Sequence, residues 1–354
     1  MTSDPIGVAG RYSVRATTPE DGPEIVALMA DAGLRPNVEP QDLHWKYWQE
    51  RRDWSGSRSY VLCDGGAIVA HAAVIPLSCE VEGRHIRVVY LIDWAARVGE
   101  PGTGVMLLRR LAALGDALIG FGGSDATLKL LPVLGFRRCG SVTQYVRTLR
   151  PLKLLSDASQ PRSWRLLPRL ARSAVWCITA PRPDRDQWRA RRVSVDQLHA
   201  LAPFLSRSGG AVTAFERNEA LLGYALSCPI VPMELFVLEH AGRARGYFIL
   251  AFVSCQARLV DCWVDSDALA DWCALIQCAV HQAGQRKAIA ELATWGSDPM
   301  LSACLEECGF HPRSGVPILV RSGRSAGIAT PTFRVQMLDS DAAYLYGEGR
   351  MLWA

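Results

Sequence analysis

The chain has no apolar run of the roughly 18 residues that a membrane-spanning helix needs. Its opening residues, MTSDPIGVAGRYSVR, lack the basic-then-apolar pattern of a secretory leader, so a cytoplasmic location is expected. No CxxC pair occurs and the seven histidines are scattered, so no zinc template appears. Charge imbalance is also missing: a net charge of +4 over 354 residues is too mild to argue for a nucleic-acid partner. What is present is 49% hydrophobic and 21% charged residues, the balance of a folded globular protein, in a length that favours two domains. Cysteine is plentiful, at an odd count of 11. Cys304 and Cys308 sit one helical turn apart with no histidine at ligand spacing, so reduced, buried thiols and no metal are expected.

RYSVRATTPEDGPEIVALMADAG reads as a strand, a turn and a helix capped near Thr18, with Ile25, Leu28 and Met29 on one face. A second short helix is expected over 42–53. Next come β-branched runs broken at Asp64-Gly65-Gly66 and Glu82-Gly83, which predict an antiparallel meander of three strands ending near residue 96. That last strand feeds VGEPGTGVMLLRRL, a glycine-rich turn opening a helix over about 103–116. A strand LIGFGG and a helix ending at Gly135-Phe136 close the unit near 150, giving β-α-α-β-β-β-α-β-α-β. Residues 150–190 are rich in arginine and proline and nearly free of acid until Asp184. They read as a linker around one basic amphipathic helix at Pro168, either a packed strap or a membrane-surface helix.

The second half repeats the first. SYVLCDGGAIVAHAAV (59–74) has its counterpart in LFVLEHAGRARGYFIL (235–250), and VVYLIDW (88–94) answers RLVDCWV (258–264). GGSDATLKLLPVLGF (122–136) aligns with WGSDPMLSACLEECGF (295–310), and DLHWKYWQ with part of 216–229. Two copies of one domain are therefore expected. They differ at the turn: where the first copy has Gly99, Gly102 and Gly104, the second carries Asp265, Asp267 and Asp271. Acid at a helix start suits the dipole but repels a phosphate, whereas bare glycine backbone admits one. The glycine loop thus reads as a ligand site kept in one copy and lost in the other.

The order of elements, the strand–glycine loop–helix and the later helix ending in Gly-Phe together resemble the GNAT superfamily of acyl-CoA-dependent N-acyltransferases, over nearly the whole chain. The resemblance implies an α/β (α+β) fold of two GNAT-like domains, each a mixed, mostly antiparallel sheet flanked by helices. The expected division is 1–150, an acyl-CoA-binding domain; 151–190, a basic linker; and 191–354, a degenerate copy with a docked tail. The family's loop runs Gln/Arg-x-x-Gly-x-Gly/Ala. Gly102 and Gly104 match it, Gly99 replaces the leading Gln/Arg, and Arg97 is a candidate for the missing charge. The resemblance implies pyrophosphate binding by Gly99, Gly102, Thr103, Gly104 and Val105. It also implies that Trp94 and Ala95 lie beside the pantetheine arm, where splayed backbone groups polarise the thioester. The family's frequent asparagine at the later helix start is here Ser124, and its tyrosine general acid is here Leu131. The tandem arrangement also resembles mycothiol synthase-like and FemAB-like proteins.

Asp93, on the strand leading to the loop among Leu91, Ile92 and Trp94, is the first candidate base, since an apolar setting would raise a carboxylate's pKa. His71 on the neighbouring strand is the second; Glu80 and His85 rank lower. Arg109 and Arg110 could meet the 3′-phosphate of CoA. Asp339, Asp341, Tyr344, Tyr346 and Trp353 suggest a tail that docks. The expected activity is a bacterial-type transfer of an acyl group, first of all acetyl, from CoA to a primary amine of a small molecule such as an amino sugar or amino acid derivative. The alternatives are a non-catalytic CoA- or partner-binding module and FemAB-like aminoacyl transfer from tRNA. Acyl-CoA is the expected co-substrate, with no metal and no nucleic acid.

Overall fold

A computed structural model describes residues 11–156, 166–181, 187–205, 212–323 and 332–345. Tyr346, Trp353 and Asp184 lie outside the described residues. In chain order the first elements are β1 (Tyr12–Ala16), α1 (Gly22–Asp31), α2 (Pro40–Leu43), β2 (Ser59–Asp64), β3 (Ala67–Val81) and β4 (Arg84–Ala96). Then come α3 (Thr103–Leu111), β5 (Ala117–Phe121), α4 (Asp125–Val133) and β6 (Arg137–Thr148). Beyond α5 (Leu166–Thr179) lie β7 (Trp188–Val193), α6 (Ala202–Leu205), β8 (Thr213–Ala214) and α7 (Glu219–Leu226). The series ends with β9 (Met233–His240), β10 (Arg243–Val253), β11 (Gln256–Val264), α8 (Leu269–Gln285), β12 (Glu291–Gly296), α9 (Pro299–Glu307), β13 (His311–Ser322) and β14 (Phe333–Arg334). No helix among the described residues is long and apolar enough to cross a membrane.

The described residues form two compact units, 11–139 with 318–323, and 140–317 with 332–345. This differs from a division at 150 because two strands change company. In the first unit, β1, β2, β3 and β4 form an antiparallel meander, β5 joins β4 in parallel, and Ile318–Ser322 of β13 pair antiparallel with β5. In the second, β7, β9, β10 and β11 run antiparallel, β12 joins β11 in parallel, and Thr143–Thr148 of β6 pair with β12. Each sheet's last strand therefore comes from the opposite half of the sequence. The expected element order of the first half holds, with two shorter helices: α3 ends at Leu111, and the 42–53 helix is α2 continued by one wide turn over His44–Trp48.

The meander places the core. Ile25, Leu28 and Met29 are buried on α1, the face their spacing predicts, and α1 lies on β3 and β4. Val14, Leu62, Val69, Val89, Leu107, Leu111, Leu118, Leu131 and Leu319 form one cluster between the first sheet and its helices. In the second unit α8 and α9 cover β11 and β12 over a cluster that includes Phe248, Leu259, Trp272, Leu275 and Phe310. The Pro168 helix, α5, starts at Leu166 and packs within the second unit, where Trp176 stacks on His311 at 3.9 Å.

Candidate active site

Strands β4 and β5 are paired only at Val88↔Ala117, Val89↔Leu118 and Tyr90↔Ile119. Beyond that, Leu91–Ala96 of β4 stay paired with β3 but have no partner in β5, and the sheet opens into a cleft between β4 and β5. A bulge starts the divergence. Asp93 has φ +49°, an unusual backbone for a residue with a side chain, and Asp93 and Trp94 together face a single residue of β3. At the mouth of the cleft, Gly99 and Gly102 take left-handed φ values of +90° and +85°. Gly102 is the N-cap of α3 and offers no side-chain cap, and the first turn carries no acid. The first helical bond returns from Met106 N–H to the Gly102 carbonyl at 2.9 Å, which leaves the amides of Gly104 and Val105 ahead of it. Gly104 is glycine for a different reason. A Cβ there would stand 3.1 Å from Trp94 Nε1 and 3.4 Å from Ala96 Cβ, so α3 approaches β4 closely only with a bare backbone. Trp94 Nε1 donates to the Gly104 carbonyl at 3.0 Å and locks that contact.

The structure brings Asp93 and His71 together, with two partners that the sequence did not single out. Lys46 Nζ lies 2.7 Å from Asp93 Oδ2, and the Tyr47 hydroxyl donates to the same oxygen at 2.8 Å. Arg58 holds their turn in place by donating to the Trp45, Lys46 and Gln49 carbonyls. Burial pushes the Asp93 carboxyl up, but the Lys46 ammonium, with His71 and the Tyr47 hydroxyl, outweighs it and holds the group below the usual carboxylate range. The expected rise is therefore corrected: the apolar neighbours in sequence are outvoted by a cation from another element. His71 is fully buried, and desolvation pushes it down to about 4. Its Nδ1 lies 3.0 Å from the Asp93 carbonyl, an acceptor only, so Nδ1 carries the proton and Nε2 accepts from the Ser59 hydroxyl at 3.0 Å. Both ring nitrogens are engaged.

The remaining candidates separate. The Arg97 guanidinium donates to the Ile68 carbonyl at 2.7 Å and lies 3.7 Å from Glu24, so its charge has partners away from the glycine loop. Ser124 caps α4 by accepting from Thr127 N–H at 3.2 Å. Leu131 is a core residue. Glu80 and His85 pair near the tip of the β3–β4 hairpin, nine residues or about 30 Å along β3 from His71. Arg109 and Arg110 are exposed in the last turn of α3, lining with Val14, Leu62 and Met106 a cavity of about 320 Å³.

The second unit repeats the cleft and fills it. Strands β11 and β12 pair only at Gln256↔Glu291, Ala257↔Leu292 and Arg258↔Ala293, then diverge. Three residues past the last pair stands Asp261, as Asp93 does past Tyr90. The repeat 88–94 with 258–264 read from the sequence sets Asp93 against Trp263; the strand register shifts this by two. Arg217 meets Asp261 at 2.9 Å and Asp339 at 2.7 Å, and the Tyr247 hydroxyl donates to Asp261 at 2.7 Å. Gln336 lays its amide against the strand: its Oε1 accepts from Cys262 N–H at 2.7 Å and its Nε2 donates to the Cys262 carbonyl at 2.9 Å. Across the gap, Ser297 accepts from Val335 N–H at 2.6 Å, and Arg334 pairs with Asp298 at 2.9 Å. The tail thus bridges both walls. Asp339 is a buried ion-pair partner within a tight turn, and Asp341 shares the next turn, closed by Tyr344 N–H. The Gln336 amide thus takes up both backbone groups of Cys262, whose counterpart on β4 is Trp94.

No protein-family model matches the sequence. No curated protein matches it either. Solved structures do. A conserved protein from Enterococcus faecalis V583, described as a probable N-acyltransferase, aligns with TM-score 0.57 at 13% identity over 88% of this chain and 72% of that one. A GCN5-related N-acetyltransferase from Anabaena variabilis gives TM-score 0.56 at 10% identity, over 88% and 73%. Saccharomyces cerevisiae N-myristoyltransferase with bound myristoyl-CoA gives TM-score 0.57 at 13% identity, over 90% and 84%. These chains share the GNAT-type fold, and the present chain has it too, as a mixed α/β structure with mostly antiparallel sheets flanked by helices.

Proposed function

We propose that the chain is an N-acyltransferase that binds an acyl-CoA in the cleft of its first unit and passes the acyl group, first of all acetyl, to a primary amine of a small molecule in the cytoplasm. The observation that carries this reading is the contrast between the clefts. One opens onto a glycine loop and an uncapped helix start; the other is bridged by the chain's own tail. A helix N-terminus without side-chain cap or acid suits a pyrophosphate, which the amides of Gly104 and Val105 would meet. The Trp94 and Ala95 backbone would hold the pantetheine amides, as Cys262 holds Gln336. Gly99 and Gly102 supply the turn, Thr103 fixes it through its bond to the Glu100 carbonyl, and Ser124 caps the opposite wall. The two units are read as copies of one domain, the second having given up its ligand.

The chemistry is attack of a neutral amine nitrogen on a thioester carbonyl, with the N–C bond forming, the C–S bond breaking, the thiolate leaving and the nitrogen's proton passing through solvent to the departing sulfur. Most of the rate gain is assigned to positioning, because a neutral His71 with both nitrogens engaged and an ion-paired Asp93 are weak proton acceptors. Asp93 is read as the anchor of the bulge that opens the cleft. Calorimetry with acetyl-CoA and myristoyl-CoA, paired with thiol release across a panel of amines, tests this. One site per chain and amine-dependent thiol release are expected. Two equivalent sites would overturn the assignment to the first unit. Binding without thiol release would favour the non-catalytic module, which the burial of Leu131 in place of an acid also favours.

A further inference from the structure

Cys304 and Cys308 lie on one face of α9 and its C-cap, four residues apart. The fold brings a third thiol to them, Cys273 in the second turn of α8, and the three Sγ atoms all lie within 4.8 Å of one another. Cys304 and Cys308 are fully buried and Cys273 is 9% exposed. Thiols are weak hydrogen-bond formers, and the bonds here are long: Cys308 Sγ to the Cys273 carbonyl at 3.5 Å, and Cys273 Sγ to Glu307 Oε2 at 3.4 Å. A tetrahedral zinc with Zn–S of about 2.3 Å and Zn–O of about 2.1 Å has edges of about 3.8 Å between sulfurs and about 3.6 Å between sulfur and oxygen. The three sulfurs lie near that scale, and Glu307 Oε2 reaches one of them, Cys273 Sγ, at 3.4 Å. Arg147 donates to the Cys308 carbonyl and brings a cation to a site where thiolates would gather. A cavity of about 820 Å³, lined by Trp188, His240, Cys273, Gln277 and Glu307, gives an entry path from the Cys273 side.

We propose that Cys273, Cys304, Cys308 and Glu307 form a structural zinc site that clamps α8 to α9. Three soft thiolates select zinc over the hard cations, and a closed four-ligand set is the structural rather than the catalytic arrangement. The sequence expectation of no metal rested on two cysteines without a neighbouring histidine; the third thiol comes from a helix some thirty residues earlier, and the fourth ligand would be Glu307, whose carboxylate already reaches Cys273 Sγ.

The test uses the full chain expressed in zinc-supplemented medium, desalted, and assayed for metal, then reloaded with cobalt(II). One zinc per chain is expected, with thiolate-to-cobalt charge-transfer bands and the intense visible bands of a tetrahedral ion. Chelation should lower the melting temperature. Cys273→Ser and Cys304→Ala should abolish retained zinc while circular dichroism still reports a folded chain. Glu307→Gln, at an exposed position, should keep the charge-transfer bands, shift the visible ones and weaken zinc retention. Wild-type protein with zinc that desalting removes, cobalt addition without charge-transfer bands, or full zinc retention in Cys304→Ala would each overturn the site. Should either cysteine variant fail to fold, the cobalt spectra of the wild type and of Glu307→Gln decide alone.

Discussion

Asp93 on β4 and Asp261 on β11 stand at the same register position, each three residues beyond the last parallel pair. Each is held by a cation from the segment before β2 or β9, Lys46 or Arg217, and by a tyrosine hydroxyl, Tyr47 or Tyr247. A carboxylate that recurs where the cleft is filled by the tail is not explained by catalysis alone. It ties the segment before β2 or β9 to the point where the sheet opens.

That anchoring role makes a measurable prediction. Asp93→Asn takes from Lys46, 4% exposed, the carboxylate 2.7 Å from its ammonium. Breaking a buried pair from one side costs about 3–5 kcal/mol, so the melting temperature should fall and acyl-CoA affinity should weaken with it. Adding Lys46→Met removes the buried cation as well and should recover part of the stability. A general base would behave otherwise, with turnover down on the order of 10²-fold and the melt unchanged. Thermal melts and thiol-release rates on the two variants separate the roles.

His71 gives the pair a pH signature. It is fully buried, faces the Asp93 carboxylate, the Lys46 ammonium and the Tyr47 ring, and is held at about 4, below the ordinary value of 6.5. The unfolded chain therefore takes up this proton first as pH falls. The stabilisation is complete above about 6.5, declines between 6.5 and 4, and is spent below about 4, a loss on the order of 3 kcal/mol. Urea midpoints measured across that window should fall with acid in the wild type. His71→Gln, which can still bond Ser59 and the Asp93 carbonyl, should flatten the response. An unchanged slope in the variant would show that His71 is not its source. Asp93, held low, loses its contribution only at more acid pH.

How far the sequence reaches is visible at these residues. Alternation and turn chemistry are local, so the meander, the α1 face and the glycine loop could all be read from the chain. The ion pairs could not. Lys46 sits among Trp45, Tyr47 and Trp48, and an isolated lysine in an aromatic stretch is a signal for a buried partner, but nothing local names Asp93 as that partner. The direction of Asp93's pKa is hidden for the same reason: sequence neighbours report burial, whereas a cation from another element sets the sign. The exchange of β13 and β6 was equally hidden, because two similar strands after two similar helices fit either sheet by pattern. Gln336 carries no local signal beside the acids and aromatics of the tail, because its role lies in the strand it meets, at Cys262.

The two loop glycines should fail differently. Gly102→Ala meets open space but must hold φ at +85°, a strain of about 1 kcal/mol, and little else should change in the apo protein. Gly104→Ala drives a methyl against Trp94 and Ala96, so α3 must move off β4. Its melt should fall further, and Trp94 fluorescence should shift, whereas Gly102→Ala should leave that fluorescence alone. Equal shifts in both would mean that loop conformation, not helix–strand contact, governs this end of the cleft.

Strand exchange makes the halves of the sequence dependent on each other. A fragment of residues 1–150 keeps β1 to β5 but loses Ile318–Ser322, the antiparallel partner of β5. It also carries Thr143–Thr148 without β12, their partner in the full chain. Two unpaired strand edges on a largely apolar sheet invite edge-to-edge association, and Leu319 is withdrawn from the core. The fragment alone should express poorly or elute as aggregate. Coexpressed with residues 151–354, which supply β13 and receive β6, it should recover as a soluble pair that binds acyl-CoA with the affinity of the intact chain. Size-exclusion chromatography with calorimetry reads both outcomes. A monomeric, cooperatively melting 1–150 fragment would contradict this account, since β5 would then be shown to need no partner on its open side.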